Sequence, residues 1–414
     1  MRNRKLVYYF EILILLLSLI SALNIRGEAS LAVQFAVQIP IIILIVIFKD
    51  TLCPKREQPL IIKIWFIWVF FEVIRGFIVA DNEREYKQLA VGTIGMMMPL
   101  YIYLFYNPKV AGSIFRCWYS YAILLYFVLF GSSCQFTQFY FSPLLVLFCT
   151  FPLYKGKIKY VIIIVGVVYM LVNAVEARAQ FVKGLVALTI GLGLCFRSYI
   201  YYQRILKVSH LIGYLLVAFI FLFAFSDTWD ALTGRSYAWV SIDNNKSREY
   251  EFKDTRSLLY VDIIQSMKDN NQILWGCSPA RGFKVNYSWV LIEYGYNSYN
   301  PFNKGERHKN EMVLANIFLW CGIIGLILFS LIYMRGSYLA LYKSRNKIVP
   351  MIGCFVAFRW SFGWIEDVNN FLIYDVDLWL LIAMCYSKRF RYLSDKQIEK
   401  WFNSLLPSIP LYKR

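Results

Sequence analysis

Five polar residues stand in a row at the start of an apolar run: Arg307, His308, Lys309, Asn310 and Glu311. His308 and Glu311 are three residues apart, Arg307 and Glu311 four apart. A helix starting near His308 would carry all three groups on its outermost turn. The start of a helix bears a partial positive charge that draws anions. Imidazole takes up and gives back a proton near neutral pH. A base beside an anion-binding helix end suits glycosyl transfer from a lipid diphosphate.

A second set of charges is notable for standing inside apolar runs, where ionisable groups are costly and point to function. These are Glu72, Arg75, Glu176, Arg178, Lys183, Arg359, Asp375 and Asp377. Glu72 and Arg75 stand at i and i+3, the spacing of a mutually neutralising pair. Glu176 and Arg178 lie where two runs meet, and Lys183 has a stem long enough to snorkel outward. Asp375-Val376-Asp377 has the form of the DxD metal motif of soluble glycosyltransferases. It sits in an apolar run without a nucleotide-sugar fold, so no metal is expected there. The sequence has no GxGxxG after a strand, no GxxxxGK[ST], no GxSxG and no HExxH, so nucleotide-driven pumping and the common hydrolase chemistries are not indicated. His210 is assigned no role.

The elements that position these groups follow from composition. Of 414 residues, 59% are hydrophobic and only 17% charged, against roughly a quarter charged in a soluble domain. Mean hydropathy is +0.50. A bilayer core takes about 20 mostly apolar residues per helix. Twelve runs meet that pattern: 6–23, 29–48, 60–80, 89–106, 117–132, 136–154, 160–177, 179–196, 208–226, 311–334, 348–364 and 370–387. The expected fold is an all-α polytopic membrane protein of about twelve transmembrane helices. The first run follows basic residues like a signal peptide, but Ser21-Ala22-Leu23-Asn24 is a poor cleavage site, so it reads as an uncleaved helix.

The net charge of +18 has a topological cause. Basic connections alternate along the chain, and all fall on one side if both termini are cytoplasmic. That alternation leaves no separate basic face for nucleic acid. All the intramembrane charges named above then lie in the outer half, while Glu11 and Lys63 sit near the inner side. Transmembrane helices 1–9 occupy residues 1–226. A large polar loop at 227–310 lies outside, between runs nine and ten, and a loop of that length is usually functional. Helices 10–12 follow at 311–387, then a cytoplasmic tail at 388–414. Within the loop, Leu258, Leu259, Ile263, Ile264 and Met267 have helical spacing, so a helix is expected over Thr255–Lys268. Trp275–Asn303 reads as irregular. Nine cysteines without a CxxC pair exclude zinc and thioredoxin-type sites. Cys134 and Cys277 fall on the outer side, where a disulfide between them is the lesser alternative to two free thiols.

Several segments carry a family resemblance. Gly322-Ile323-Ile324-Gly325 closes a Leu-rich helix after a large late loop. Arg256 and Tyr260 match an Arg-x-x-x-aromatic segment. Leu274-Trp275-Gly276 with Arg281-Gly282-Phe283 matches a Gly-rich segment ending in Phe, and Ala177-Arg178-Ala179 is similar to a Ser-Arg-Gly turn. In order and topology the chain resembles the O-antigen ligase and O-antigen polymerase (Wzy-type) superfamily, most of all the polysaccharide polymerases of Bacteroidota. Ligases tend to show His-Asn before the apolar run, whereas here Lys309 separates His308 from Asn310. Arg307 and Glu311 follow the polymerase pattern.

The resemblance implies a metal-independent, cofactor-free glycosyltransferase acting on an undecaprenyl-diphosphate-linked oligosaccharide at the periplasmic face. Arg178 and Arg256 would hold the diphosphate, with Arg281 and Arg307 assisting, because guanidinium forks match phosphate oxygens. His308 or Glu311 would deprotonate the acceptor hydroxyl, and Arg256 would stabilise the departing diphosphate. Arg235 competes with Arg256 for the same family position. Tyr287, Trp289, Tyr294, Tyr296 and Tyr299 offer faces for sugar stacking. Beside the lipid bilayer, a chain-length regulator is a partner of such enzymes. The alternatives are a ligase-type transferase to a second acceptor and a polysaccharide flippase or exporter.

Overall fold

A computed structural model of the chain describes residues 2–25, 30–130, 140–224, 255–285, 306–366 and 370–406. The helices before the loop are α1 (Arg2–Ile25), α2 (Leu31–Leu52), α3 (Leu60–Val79), α4 (Glu83–Met96), α5 (Tyr101–Phe105), α6 (Pro108–Phe130), α7 (Leu144–Thr150), α8 (Ile158–Glu176), α9 (Arg178–Cys195) and α10 (Tyr202–Phe219). The described parts of the loop hold α11 (Thr255–Asp269) and two short strands, β1 (Phe283–Lys284) and β2 (Glu306–Arg307). After it come α12 (Val313–Lys343), α13 (Val349–Phe362), α14 (Val376–Tyr386), α15 (Lys388–Arg391) and α16 (Asp395–Asn403).

Seven helical stretches among the described residues are long and apolar enough to cross a membrane: Arg4–Leu23, Leu31–Leu52, Glu83–Phe105, Pro108–Leu129, Arg178–Cys195, Tyr202–Leu222 and Val313–Lys343. Leu144–Leu153, Ile158–Ala174 and Val349–Phe362 are apolar but shorter. The protein is a membrane-embedded helical bundle with almost no strand among the described residues.

Local chemistry moves several boundaries from their expected places. The run expected at 89–106 begins at Glu83, because Asn82 caps it: the Glu85 N–H donates to Asn82 Oδ1 at 3.0 Å, and the Glu85 carboxylate accepts from the Asp81 N–H at 2.7 Å. A 3-10 turn over Met98–Leu100, with Pro99 inside it, then separates α4 from α5. The run expected at 117–132 starts at Pro108, where a missing N–H is tolerated. Of the run expected at 136–154, the described part is α7 and a 3-10 turn over Phe151–Leu153.

The centre of the bundle is α13 and α14. Every residue of both is buried, as an all-round apolar helix requires. α13 packs between α10 and α12, and α14 lies against α5 and α12. On the periphery, α8 and α10 leave side chains such as Ile164, Leu171, Leu211 and Leu215 exposed, the face a bilayer would cover.

Candidate functional site

The site is built around one extended segment. β2 pairs antiparallel with β1, Phe283 opposite Arg307 and Lys284 opposite Glu306. Side chains alternate along such a segment, and residues 306–309 reach two different surroundings. Glu306 holds Arg281 through two oxygens, at 2.5 and 3.1 Å, and accepts the Gly282 N–H at 3.0 Å. Burial alone would raise the Glu306 carboxyl, but Arg281 and the Gly282 N–H outweigh it, and the group is held below its ordinary value. His308 follows two residues on, only 8% exposed. Its Nε2 is buried and meets no hydrogen-bond partner among the described residues. Burial pushes the imidazole below its ordinary value against the pull of Glu306, with Arg84, Glu85 and Arg281 also acting on it. At neutral pH it is therefore a neutral base.

The alternate residues meet other groups. Arg307 donates from Nε to the Lys309 carbonyl at 3.0 Å, and the carboxylates acting on it are Glu311 and Asp262 of α11. Lys309 donates to the Asn370 side chain, and burial lowers it to about 8 against the field of Asp375. Glu311 is exposed. Arg256, on the first turn of α11, pairs with Glu366 at 3.4 Å. One turn later the Tyr260 hydroxyl donates to the Trp364 carbonyl at 2.5 Å, which ties α11 to the end of α13.

His308 and Glu311 do not share a helical turn, as the spacing had led us to expect. α12 starts at Val313. The Asn316 side chain reaches back and takes both backbone groups of Asn310, accepting its N–H at 2.8 Å and donating to its carbonyl at 2.9 Å. Asn310 Oδ1 accepts the Met312 N–H at 2.7 Å, and Trp320 Nε1 donates to the His308 carbonyl at 2.9 Å. These bonds, with the β1–β2 pairing, hold 306–311 extended against the helix end.

A second feature stands behind the segment. α12 is broken at Gly322, whose φ of 64° and ψ of −167° are not helical. Residues 273–278 fill the break. The N–H groups of Cys277 and Ser278 donate to the carbonyls of Leu319 and Trp320 at 2.7 and 3.0 Å. The N–H groups of Ile323 and Ile324 donate to Ile273 and Leu274 at 2.9 and 3.4 Å. Gly276 (φ 80°) and Gly322 face each other so closely that a Cβ on either would lie within 2.4 Å of the other segment's backbone. Trp68 Nε1 donates to the Cys321 carbonyl at 3.3 Å and its ring stacks on Trp275. Arg75 pairs with Glu72 and donates to the carbonyls of Gly276 at 2.8 Å and Trp275 at 3.0 Å. The expected Glu72–Arg75 pair is thus present, and it also anchors the loop arm to α3.

Four of the other intramembrane charges, Lys183, Arg359, Asp375 and Asp377, form a buried layer at the start of α14. Arg359 lies 3.4 Å from Asp377 and 3.9 Å from Asp375. Ser142 donates to Asp377 at 2.9 Å. Lys183 does not snorkel: its ammonium is buried, donates to the Tyr374 hydroxyl at 2.7 Å and lies over the Phe362 and Tyr374 rings. The Asp375–Asp377 pair therefore faces an arginine, and among the described residues no group of three His, Cys, Asp or Glu could hold a metal.

Arg281 and His308 share one cluster through Glu306, and Arg307 and Glu311 share another with Asp262. Arg256 stands nearby on α11. Arg178 is exposed at the start of α9, and no described contact joins it to the loop arms. Cys277 is buried and free rather than outward-facing. Arg235, Cys134 and the aromatic residues at 287, 289, 294, 296 and 299 lie outside the described residues, as does the side chain of Glu176. Sequence reasoning missed Glu306, Asp262 and Glu366, which neutralise the arginines it singled out. Comparison with protein-family models, with curated proteins and with solved structures found no match in any of the three.

Proposed function

We propose that this chain is an inner-membrane glycosyltransferase that joins undecaprenyl-diphosphate-linked repeat units into polysaccharide at the periplasmic face, with twelve spans and both termini cytoplasmic. The family resemblance supplies the reaction class. The observation that supports it most is the imidazole of His308: buried, neutral at neutral pH, its Nε2 without a hydrogen-bond partner among the described residues, on one short segment with Arg307 and Glu311. In this reading Nε2 takes the proton of the acceptor sugar hydroxyl. The hydroxyl oxygen attacks the anomeric carbon, and the bond from that carbon to the diphosphate oxygen breaks. Arg256, Arg307 and Arg178 stabilise the departing diphosphate. Arg281 is already held by Glu306, so its part is to fix the carboxylate beside His308. Glu311, exposed and close to Arg307, is the other candidate base.

The test is reconstitution in liposomes with the lipid-linked repeat unit, products resolved by size. Wild type gives a ladder; His308→Gln and Arg256→Ala lose it while still inserting in the membrane. The rate falls on acidification with a midpoint below 6.5, the ordinary histidine value. A ladder undiminished in His308→Gln and lost in Glu311→Gln moves the base to Glu311. Transfer of a single block to a second acceptor means a ligase, and transbilayer movement without transfer means an exporter; either result overturns the polymerase reading.

A further inference from the structure

A groove of about 850 Å³ lies between α2, α3 and the α4–α5 segment. It opens sideways: Ile67 and Phe70 on its wall are 70% and 66% exposed. Its interior is apolar, and Val73, Met97 and Leu100 contribute to the lining. One end is different. Lys49, Lys55 and Lys63 stand there with Asp50 and Gln58. Asp50 is taken by Lys55 at 3.4 Å and by Gln58 at 2.8 Å. Lys49 and Lys63 are exposed and form no salt bridge among the described residues, although Lys49 lies in the field of Asp50. From Lys63 to Val73 along α3 is about 15 Å at the rise of a helix, half of the roughly 30 Å hydrocarbon core. The groove is thus one leaflet deep, apolar along its length and cationic at its rim. At its inner end the Thr93 hydroxyl is buried and has no hydrogen-bond partner among the described residues.

We propose that this groove binds an anionic glycerophospholipid of the leaflet on the side of the lysine-rich loops. One acyl chain lies between α3 and α4, and the phosphate is held by Lys49 and Lys63. Charge sign and depth choose this occupant. A zwitterionic lipid matches the depth but carries a cation that the lysines repel, and a free phosphate leaves the apolar length empty. The inference is independent of the glycosyltransferase reading.

Purified full-length protein in phosphatidylcholine nanodiscs is given phosphatidylglycerol with a diazirine near the end of one acyl chain, irradiated, and mapped by peptide mass spectrometry. Adducts are expected to concentrate on residues 66–73 and 93–100, and unlabelled phosphatidylglycerol competes far better than added phosphatidylcholine. Each lysine near an anionic headgroup contributes about fivefold in affinity, so Lys49→Gln with Lys63→Gln lowers the preference roughly 25-fold. Adducts spread evenly over the exposed faces of α8 and α10 overturn the site. Adducts in the groove that both lipids displace equally, or a preference intact in the double variant, overturn the anionic headgroup. Undecaprenyl phosphate displacing the probe better than phosphatidylglycerol overturns the choice of lipid. The wild-type map needs no variant, so poor folding of the double variant leaves the test intact.

Discussion

Gly322→Ala tests the crossing of α12 and the loop arm directly. The new Cβ would lie 2.2 Å from the Leu274 carbonyl oxygen, 2.4 Å from its carbon and 2.6 Å from the Gly276 nitrogen. All three are backbone atoms in hydrogen-bonded segments, so none can swing aside as a side-chain tip would. Holding alanine near φ 64° and ψ −167° costs about 2 kcal/mol. Separating the two backbones adds about 2 kcal/mol of overpacking, for a total of about 4 kcal/mol. Gly156 supplies the control. It also has φ 64°, but nothing lies within 4 Å of its Cβ position, so Gly156→Ala costs only the conformational part, about 1–2 kcal/mol. The assay is unfolding in mixed micelles followed by tryptophan fluorescence. Gly276→Ala opens the same gap from the other side, so the double variant costs about 2 kcal/mol less than the sum of the singles. The reasoning fails if Gly322→Ala unfolds within about 1 kcal/mol of Gly156→Ala, or if the two crossing glycines add independently.

Three further outcomes follow from the charges and clamps. Arg359→Ala removes the guanidinium that faces the buried Asp375 and Asp377 and destabilises by about 3 kcal/mol; Asp377→Asn in the same chain restores part of that in the same unfolding assay. Asn316→Ala strands the N–H and carbonyl of Asn310 and costs about 2 kcal/mol, and increased proteolysis near residues 306–312 would report the released segment. Lys309 is depressed to about 8 from 10.5 in the fold, so the unfolded chain binds more protons between those values and the Lys309 contribution to stability rises as pH climbs from 8 to 10.5. Lys309→Met removes that rise from a pH series of melting temperatures, and identical slopes in both proteins would exclude it.

What could be read in advance depended on how local the cause was. The apolar runs are set by the solvent on each residue, and among the described residues seven helical stretches are long and apolar enough to cross a membrane. α11 is set by its own period, and the helix expected over Thr255–Lys268 runs Thr255–Asp269. The Glu72–Arg75 pair is a neighbour effect and was legible; its grip on Trp275 and Gly276, two hundred residues away, was not. The start of α12 was misjudged because Asn316 captures Asn310 from inside the helix and residue 307 pairs with 283, and neither leaves a periodic trace. Gly322-Ile323-Ile324-Gly325 reads as the close of a Leu-rich helix, yet α12 runs on to Lys343 and Gly322 breaks it against Gly276. The arginines were visible as cations, but of the carboxylates that temper them Glu306 and Glu366 stand in segments without a pattern, and the period of α11 does not single out Asp262.

The filled break also implies an order of events during synthesis. In an unbroken α12 the Ile323 and Ile324 N–H groups would bond to Leu319 and Trp320 of the same helix. In the mature protein those carbonyls take Cys277 and Ser278, while the two N–H groups take Ile273 and Leu274. Two bonds within one segment have been exchanged for four between two. The earlier segment leaves the ribosome first and has no mate until the later one arrives. A newly inserted helix can therefore cross the bilayer whole, satisfied by its own bonds, and acquire its bend only when the waiting arm docks. Insertion and maturation become separable steps, and a chain stalled between them carries its helices without the docked loop arm.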